Sequence, residues 1–199
     1  IIRHNFITDV IGFGQEDGQY LSSHYAWGIY HDDNTGGVDV YGNIVARCVR
    51  ALIHLHNGRD NHIENNIFVD GTLQQIECSG WSTTHRYWIN HFPSMVKGYE
   101  SVADQPAWKH MRRMDLHPKD AVLPDGTIMS GNVFTRNIIC YSAPDAALFR
   151  VRNFSFEHNA SDSNLVWHGG QPIRTGQFAC GKTLDRKSTR LNSSHESPS

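Results

Sequence analysis

Residues 56–70 read HNGRDNHIENNIFVD, an apolar phrase interrupted by a pair of asparagines. Ile63 and Glu64 alternate as a half-buried strand requires, and Ile67 resumes the apolar pattern after the asparagines. The Gly-Arg-Asp-Asn run at 58–61 is typical of a corner, because Gly permits unusual backbone angles and Asp or Asn can bond its own turn. The stretch therefore predicts short strands joined by tight, asparagine-containing turns.

Similar phrases recur along the chain and align on five asparagines, namely Asn5, Asn43, Asn66, Asn137 and Asn159. Two of the intervals are 23 and 22 residues, and the others correspond to such a unit plus an insertion. This period, with two or three short β-rich segments per unit, is what one coil of a parallel β-helix needs. An asparagine at the turn can take a left-handed conformation and bond the same residue one coil away, at about 4.8 Å.

The repeats predict an all-β fold: a right-handed parallel β-helix, or solenoid, as a fragment with a long loop insertion. We assign residues 1–184 to this fragment and place the loop at about 81–125, either as a binding wall or as a cover for the core. No stretch is interpreted as a long amphipathic helix, and the leucines that define leucine-rich repeats are absent. Residues 185–195 read DRKSTRLNSSH, which matches a translated sequencing adapter, so 185–199 is predicted to be a non-native tail rather than a genuine polar terminus.

The composition excludes several classes of protein. A net charge of -2, with 18 basic and 20 acidic residues and no basic block, argues against nucleic acid as the main partner. No apolar run is long enough to span a membrane. The four cysteines lack C-x-x-C spacing, which argues against a structural zinc site and leaves any disulfide unassigned.

Aligning the segments 28–33, 52–57 and 75–80 on their inward isoleucines predicts two outward columns of side chains. One column holds Tyr30, His54 and Glu77, and the other holds Asp32, His56 and Ser79. Carboxyl groups that lie close together push their pKa values apart, so one can act as an acid while another is the base or nucleophile. The predicted catalytic residues are Asp32, Asp33, His54, His56 and Glu77.

A long polysaccharide could lie across several coils of such a face, and flat aromatic rings and arginines would hold it. The predicted substrate-binding residues are Tyr30, Trp81, Trp88, Arg112, Arg113 and Arg150. A structural alternative stays open, since outward strand positions are polar by default and residues 32–34 are also a turn signal. We predict no metal site, because H-x-H at 54–56 is a weak motif, but calcium held by Asp32 and Asp33 also stays open.

Three phrases resemble bacterial right-handed parallel β-helix repeat proteins of the pectate-lyase-like superfamily: WGIYHDDNTGGVDVYGNIVARC at 27–48, GRDNHIENNIFVDG at 58–71 and GNVFTRNIICYS at 131–142. The resemblance covers most of residues 1–170. It implies a carbohydrate-active protein that is secreted or periplasmic and has a polysaccharide or oligosaccharide as its partner. Members of this superfamily include hydrolases, lyases, epimerases and non-enzymatic surface proteins, so the fold alone does not name the reaction.

Within that resemblance, HDD at 31–33 is loosely similar to the aspartates of polygalacturonase-like hydrolases, whose N-T-D, G-H-G and R-I-K phrases are absent. The lyase branch implies a basic residue that removes a proton and calcium or arginine that neutralises a uronate; Arg112, Arg113, Lys119 and Arg150 are available. We therefore expect a glycoside hydrolase without a cofactor. The alternatives are a polysaccharide lyase and a non-catalytic glycan-binding or surface scaffold.

Overall fold

The structure is a computed structural model that describes residues 1–22, 24–112 and 114–177. Arg113, one of the predicted substrate-binding residues, lies outside the described residues, and so does the predicted tail 185–199. The interpretation of that tail stays a prediction.

Three five-stranded parallel sheets make up most of the described chain. Sheet 1 contains β1 (Ile2–Arg3), β6 (Asp39–Tyr41), β9 (His62–Glu64), β12 (Val133–Thr135) and β15 (Ala160–Asp162). Sheet 2 contains β2 (Phe6–Thr8), β7 (Ile44–Cys48), β10 (Ile67–Gly71), β13 (Ile138–Tyr141) and β16 (Leu165–His168). Sheet 3 contains β5 (Trp27–His31), β8 (Ala51–His56), β11 (Gln74–Ser79), β14 (Ala147–Arg152) and β17 (Thr175–Gln177).

The chain visits the three sheets in the same order five times, adding one strand to each sheet per unit. Every neighbouring pair within these sheets is parallel, and the pairing is in register from one unit to the next. This mostly β architecture is consistent with the predicted β-helix. Apolar residues face inward in columns, for example Ile29, Ile53, Ile76 and Phe149 across sheet 3, and all four are buried.

Asparagines hold the turns between sheets 1 and 2, as the repeats predicted. Asn43 donates to the Oδ1 atom of Asn66 at 3.0 Å, and Asn66 donates to that of Asn137 at 3.0 Å. The ladder begins with Asn5 and ends with Asn164, not with the predicted Asn159. Asn159 instead belongs to a second ladder that precedes sheet 1, formed by Asn61, Asn132 and Asn159. The error arose because residues 155–164 carry two asparagines one strand apart, and only pairing distinguishes the two ladders.

The insertion between β11 and β12 contains a long helix, which corrects the prediction that no stretch forms a long amphipathic helix. It contains α1 (Arg86–Val102), α2 (Pro106–Lys109) and a 3-10 turn (Pro118–Ala121). Trp88, Phe92 and Met95 recur at helical spacing along α1, and they belong to a second apolar cluster with Trp81 and Ile128. The interior Pro93 obscured this pattern, since proline normally argues against a helix.

A short hairpin precedes β5. Its strands are β3 (Gly14–Glu16) and β4 (Gln19–Leu21), which pair antiparallel. Among the described residues, no helix is both long and apolar enough to cross a bilayer.

Candidate functional site

The outer face of sheet 3 places the predicted catalytic residues in the predicted columns. Tyr30 pairs with His54, and His54 pairs with Glu77. His56 pairs with Ser79, and Asp32 and Asp33 follow the end of β5. The register was correct because inward isoleucines fix it in all three strands. What the sequence did not reveal is which outward side chains are covered.

Glu77 is buried and bound on several sides, so it is not an accessible acid or base. Its carboxylate accepts hydrogen bonds from Arg50 at 2.9 and 3.1 Å, from the Trp27 indole at 2.9 Å and from Gln74. Burial raises the pKa of Glu77, but the Arg50 guanidinium, the neighbouring His54 imidazole and the Trp27 hydrogen bond together lower it below its usual value. Glu77 is therefore ionised and has a structural role.

His54 is also buried, and it lies between flat rings. Its imidazole stacks on Tyr30 with centroids 4.8 Å apart and contacts Trp27 at the same distance. Nε2 is 3.9 Å from Glu77, too far for a hydrogen bond, and neither ring nitrogen has a hydrogen-bond partner among the described residues. Burial lowers the pKa of His54 to about 4, so the ring is neutral at pH 7.

Asp32, Asp33 and His56, which we call the carboxylate cluster, are the accessible part of the site. Nδ1 of His56 lies 2.8 Å from Asp33 and 3.2 Å from Asp32. The Asp32 side chain is 64% exposed and the Asp33 side chain 39% exposed. Of the five predicted catalytic residues, the structure thus brings three together at the surface and covers the other two.

The sequence of the turn places both carboxylates there. The amide of Thr35 donates to the carbonyl of Asp32 at 3.1 Å, which closes a turn directly after β5. Asn34 adopts a left-handed backbone with φ of 64°, a conformation that asparagine tolerates well. Residues 32–34 therefore form the turn that the structural alternative predicted.

A hydrogen bond from Tyr30 to Asp32 is the largest influence on that carboxyl and lowers its pKa. Burial opposes this effect, and the hydrogen bond from His56 adds to it. In return, burial and the neighbouring carboxylates raise the pKa of Tyr30, so the phenol keeps its proton. Asp32 is consequently ionised over the whole neutral range.

Trp81 sets the tautomer of His56. The Trp81 indole N–H can only donate, and it points at Nε2 of His56 at 3.2 Å. Nε2 must then be the acceptor, so the proton of the neutral ring is on Nδ1 and faces the carboxylates. Metal ligation through Nδ1 would need the opposite tautomer.

One oxygen or nitrogen atom from each member of the carboxylate cluster lies within 4.8 Å of the others, a spacing that could suit a metal ion. The donor set fits calcium poorly, because calcium takes six to eight oxygen ligands and here His56 directs an N–H toward the two carboxylates.

The predicted substrate-binding residues also include both exposed and covered side chains. Tyr30 is 42% exposed, whereas Trp81 is fully buried and Trp88 nearly so, which leaves neither indole an exposed stacking face on the outer surface. Arg112 is occupied in fastening the insertion to sheet 1, donating to the Asp60 carbonyl at 2.8 Å and to the Asp39 carboxylate. Arg150 pairs in register with Glu77 on sheet 3, three units beyond Tyr30.

Several residues of the site were missed by sequence reasoning. Tyr25, which contacts Trp27 at the start of β5, and Tyr87, which contacts His91, are exposed rings, and His91 of α1 lies 3.8 Å from Asp33. Together with Tyr30, His54, His56 and Trp81 they form a continuous array of aromatic contacts across sheet 3 and onto the insertion. The Tyr87–His91 spacing of four residues on one helix face would have been the available signal, had α1 been recognised.

A cavity of about 520 Å³ adjoins the carboxylate cluster. Asp33, Asn34, Asn57 and Arg59 line one side, from the turns that follow sheet 3. The insertion forms the other side with mainly apolar residues, including Trp88, Met95, Tyr99, Trp108 and Met114. Asp33 is the member of the carboxylate cluster that also lines this cavity.

Comparisons with known proteins found no match: no family model, no curated protein and no solved structure resembles the chain significantly.

Proposed function

We propose that the chain is part of a right-handed parallel β-helix that binds a polysaccharide along the outer face of sheet 3 and hydrolyses a glycosidic bond. The observation that carries this proposal is the exposed Asp32–Asp33 pair on His56, flanked by exposed tyrosines. Paired carboxyls supply the acid and the nucleophile or base of most glycosidases, and exposed aromatic rings suit the apolar faces of sugars. In this proposal the protein is secreted or periplasmic, where its polysaccharide would be found.

We assign the proton donor to Asp33, which faces the cavity between His56 and His91. Asp33 protonates the glycosidic oxygen while ionised Asp32 attacks the anomeric carbon, so the bond to the leaving sugar breaks as a glycosyl–Asp32 ester forms. Asp33, now ionised, takes a proton from a water molecule, which hydrolyses the ester and restores both carboxyls. One oxygen of each carboxyl lies within 4.8 Å of the other. A separation below that limit leaves no room for the water molecule that inverting enzymes hold between carboxyls roughly 6.5 to 9.5 Å apart. The product should therefore keep its anomeric configuration.

Glu77 and His54 act in this proposal as positioning residues. The Arg50–Glu77 pair holds Trp27, Trp27 packs against His54, and His54 supports the Tyr30 ring that bonds Asp32. A chain of buried contacts of this kind fixes the orientation of an exposed carboxylate.

A non-catalytic glycan-binding scaffold is the second candidate. It is favoured by the burial of His54 and Glu77, which leaves fewer accessible titratable groups than predicted, while the exposed tyrosines remain. A lyase would use the same face, with Arg150 holding a uronate.

The test is incubation of the chain with a panel of neutral and acidic polysaccharides, following new reducing ends and near-ultraviolet absorbance together. We expect new reducing ends without absorbance, a retained anomer by NMR, and a loss of about 100-fold or more in Asp32→Asn and Asp33→Asn. Asp145→Asn, a fully exposed aspartate elsewhere, is the matched control. Absorbance that rises with the reducing ends would establish elimination instead, and saturable binding without cleavage would establish the scaffold.

A further inference from the structure

The cavity beside Asp33 differs from a typical sugar subsite in the character of its walls. Aromatic side chains of Trp88, Tyr99 and Trp108 and the thioethers of Met95 and Met114 form the insertion side. Flat rings and polarisable sulfur favour an aromatic ligand, because both make close contacts with a π-system.

The two hydroxyl groups of that wall already donate within the insertion, so they offer a ligand acceptors but no donors. Ser94 donates to the His91 carbonyl at 2.7 Å, and Tyr99 donates to the Asp115 carbonyl at 2.7 Å. A sugar ring carries several hydroxyls, and each one buried without a partner is unfavourable. The wall therefore matches a bare sugar poorly.

One donor in the wall has no hydrogen-bond partner. The Trp108 indole N–H is buried and unbonded among the residues the structure describes, although Trp108 lines the cavity. Less than 1 Å² of that nitrogen is accessible, so a ligand whose entry shifts the indole would supply the missing acceptor, such as a phenolic or ether oxygen.

We propose that this cavity binds an aromatic ring joined to the sugar, so that the substrate is an aryl-substituted glycan. The inference rests on the proposed function, because Asp33 connects the cavity to the carboxylate cluster. The sugar lies over Tyr30 and the two aspartates, and its aromatic substituent enters between α1 and the turns that follow sheet 3.

The test compares two probes, phenyl β-D-glucopyranoside and methyl β-D-glucopyranoside, by saturation-transfer NMR and calorimetry on the full chain. We expect the phenyl glycoside to bind at least about tenfold more tightly, with the strongest saturation on its ring protons. Equal binding of the two probes would overturn the inference.

Gly98 supplies the matched pair of variants. It lines the cavity on α1, and a Cβ added there meets no heavy atom within 4 Å. Gly98→Ala should therefore keep the phenyl preference, whereas Gly98→Phe should abolish it by filling the mouth. If Gly98→Phe melts at a lower temperature than Gly98→Ala, Met95→Trp serves as the second blocking variant. Met95 is half-buried in the cavity wall, so a larger side chain there should also fill the cavity.

The two proposals can fail separately. Phenyl binding that Gly98→Phe removes, in a chain that cleaves no polysaccharide, would support the aromatic site and reject hydrolysis. Cleavage of unsubstituted polysaccharide at equal rates in Gly98→Phe and Gly98→Ala, with no preference for the phenyl probe, would retain hydrolysis and reject the aromatic site.

Discussion

His31 is a polar side chain buried within the apolar core. It follows Ile29 on β5, faces inward opposite Leu55, and is only 3% exposed. Neither ring nitrogen has a hydrogen-bond partner among the described residues, and burial lowers its pKa to about 4. The alternation that buries Ile29 also directs His31 inward, but no local pattern reveals that the imidazole is unpartnered.

This histidine should make stability depend on pH. Its folded-state pKa of about 4 lies below the usual unfolded value, so between about pH 6.5 and 4 the unfolded chain binds a proton that the folded chain does not. Stability is then fully present above that window and falls by up to about 1.4 kcal/mol per pH unit as the pH decreases through it.

His31→Leu should remove this contribution, because leucine matches the apolar neighbours and does not titrate. Urea unfolding at pH 5 and pH 8 measures the effect: the difference between the two pH values should shrink in the variant. The remaining slope would include His54, whose pKa is lowered in the same direction. If the free energy of unfolding changes equally between pH 5 and pH 8 in the wild type and the variant, His31 is not the group responsible.

The sequence predicts on which face of a strand a side chain lies more reliably than it predicts whether that side chain is exposed. The alternation of side chains along a strand has a period of two, so Tyr30, His54 and Glu77 were placed in one column from sequence alone. The burial of His54 and Glu77 depends on Trp27 and Arg50, which reach the column from outside the aligned segments. Contacts of that kind do not follow from a local pattern.

At the scale of elements, the asparagine ladder should be a main determinant of the turns between sheets 1 and 2. Asn66 is buried and donates to the Val40 and Glu64 carbonyls, while its Oδ1 atom accepts from the Asn43 amide at 3.0 Å. Removing that side chain leaves several buried backbone groups without partners, and each costs about 1 to 3 kcal/mol.

We therefore expect Asn66→Ala to lower the free energy of unfolding by about 2 to 4 kcal/mol, measured by urea denaturation. Asn5→Ala is the matched control, because Asn5 is the exposed first member of the same ladder and should lose about 1 kcal/mol or less. Equal losses at the two positions would show that burial of the ladder contributes little.

The elements with a repeating signal were predictable, whereas the insertion was not. Each strand carries its own apolar alternation, and the asparagines mark its turns. Helix α1 has one apolar face that includes Trp88, Phe92 and Met95, and it packs on Trp81 rather than on a repeated neighbour. A single occurrence interrupted by Pro93 gives too little pattern to separate a helix from an aromatic-rich loop.

For the whole molecule, we expect the three sheets to fold without the insertion. Strands that precede the insertion pair directly with strands that follow it: β11 pairs in register with β14, and β9 pairs with β12. The insertion leaves and rejoins this stack at neighbouring points: Ser82 and Thr127 form an antiparallel bridge, and the Thr83 amide donates to the Gly126 carbonyl at 2.9 Å.

Replacing residues 84–125 by Asn-Gly should therefore leave the sheets folded, because a two-residue turn can join a pair of this geometry. We expect cooperative urea unfolding with a loss of about 2 to 3 kcal/mol, since Trp81 loses the packing of Trp88, together with loss of the helical circular dichroism signal. Deleting 133–141 instead removes β12 and β13 from the stack and should abolish cooperative unfolding. If the Asn-Gly variant were unfolded while the β12–β13 deletion folded, the insertion would be the organising element, and the stack would depend on it.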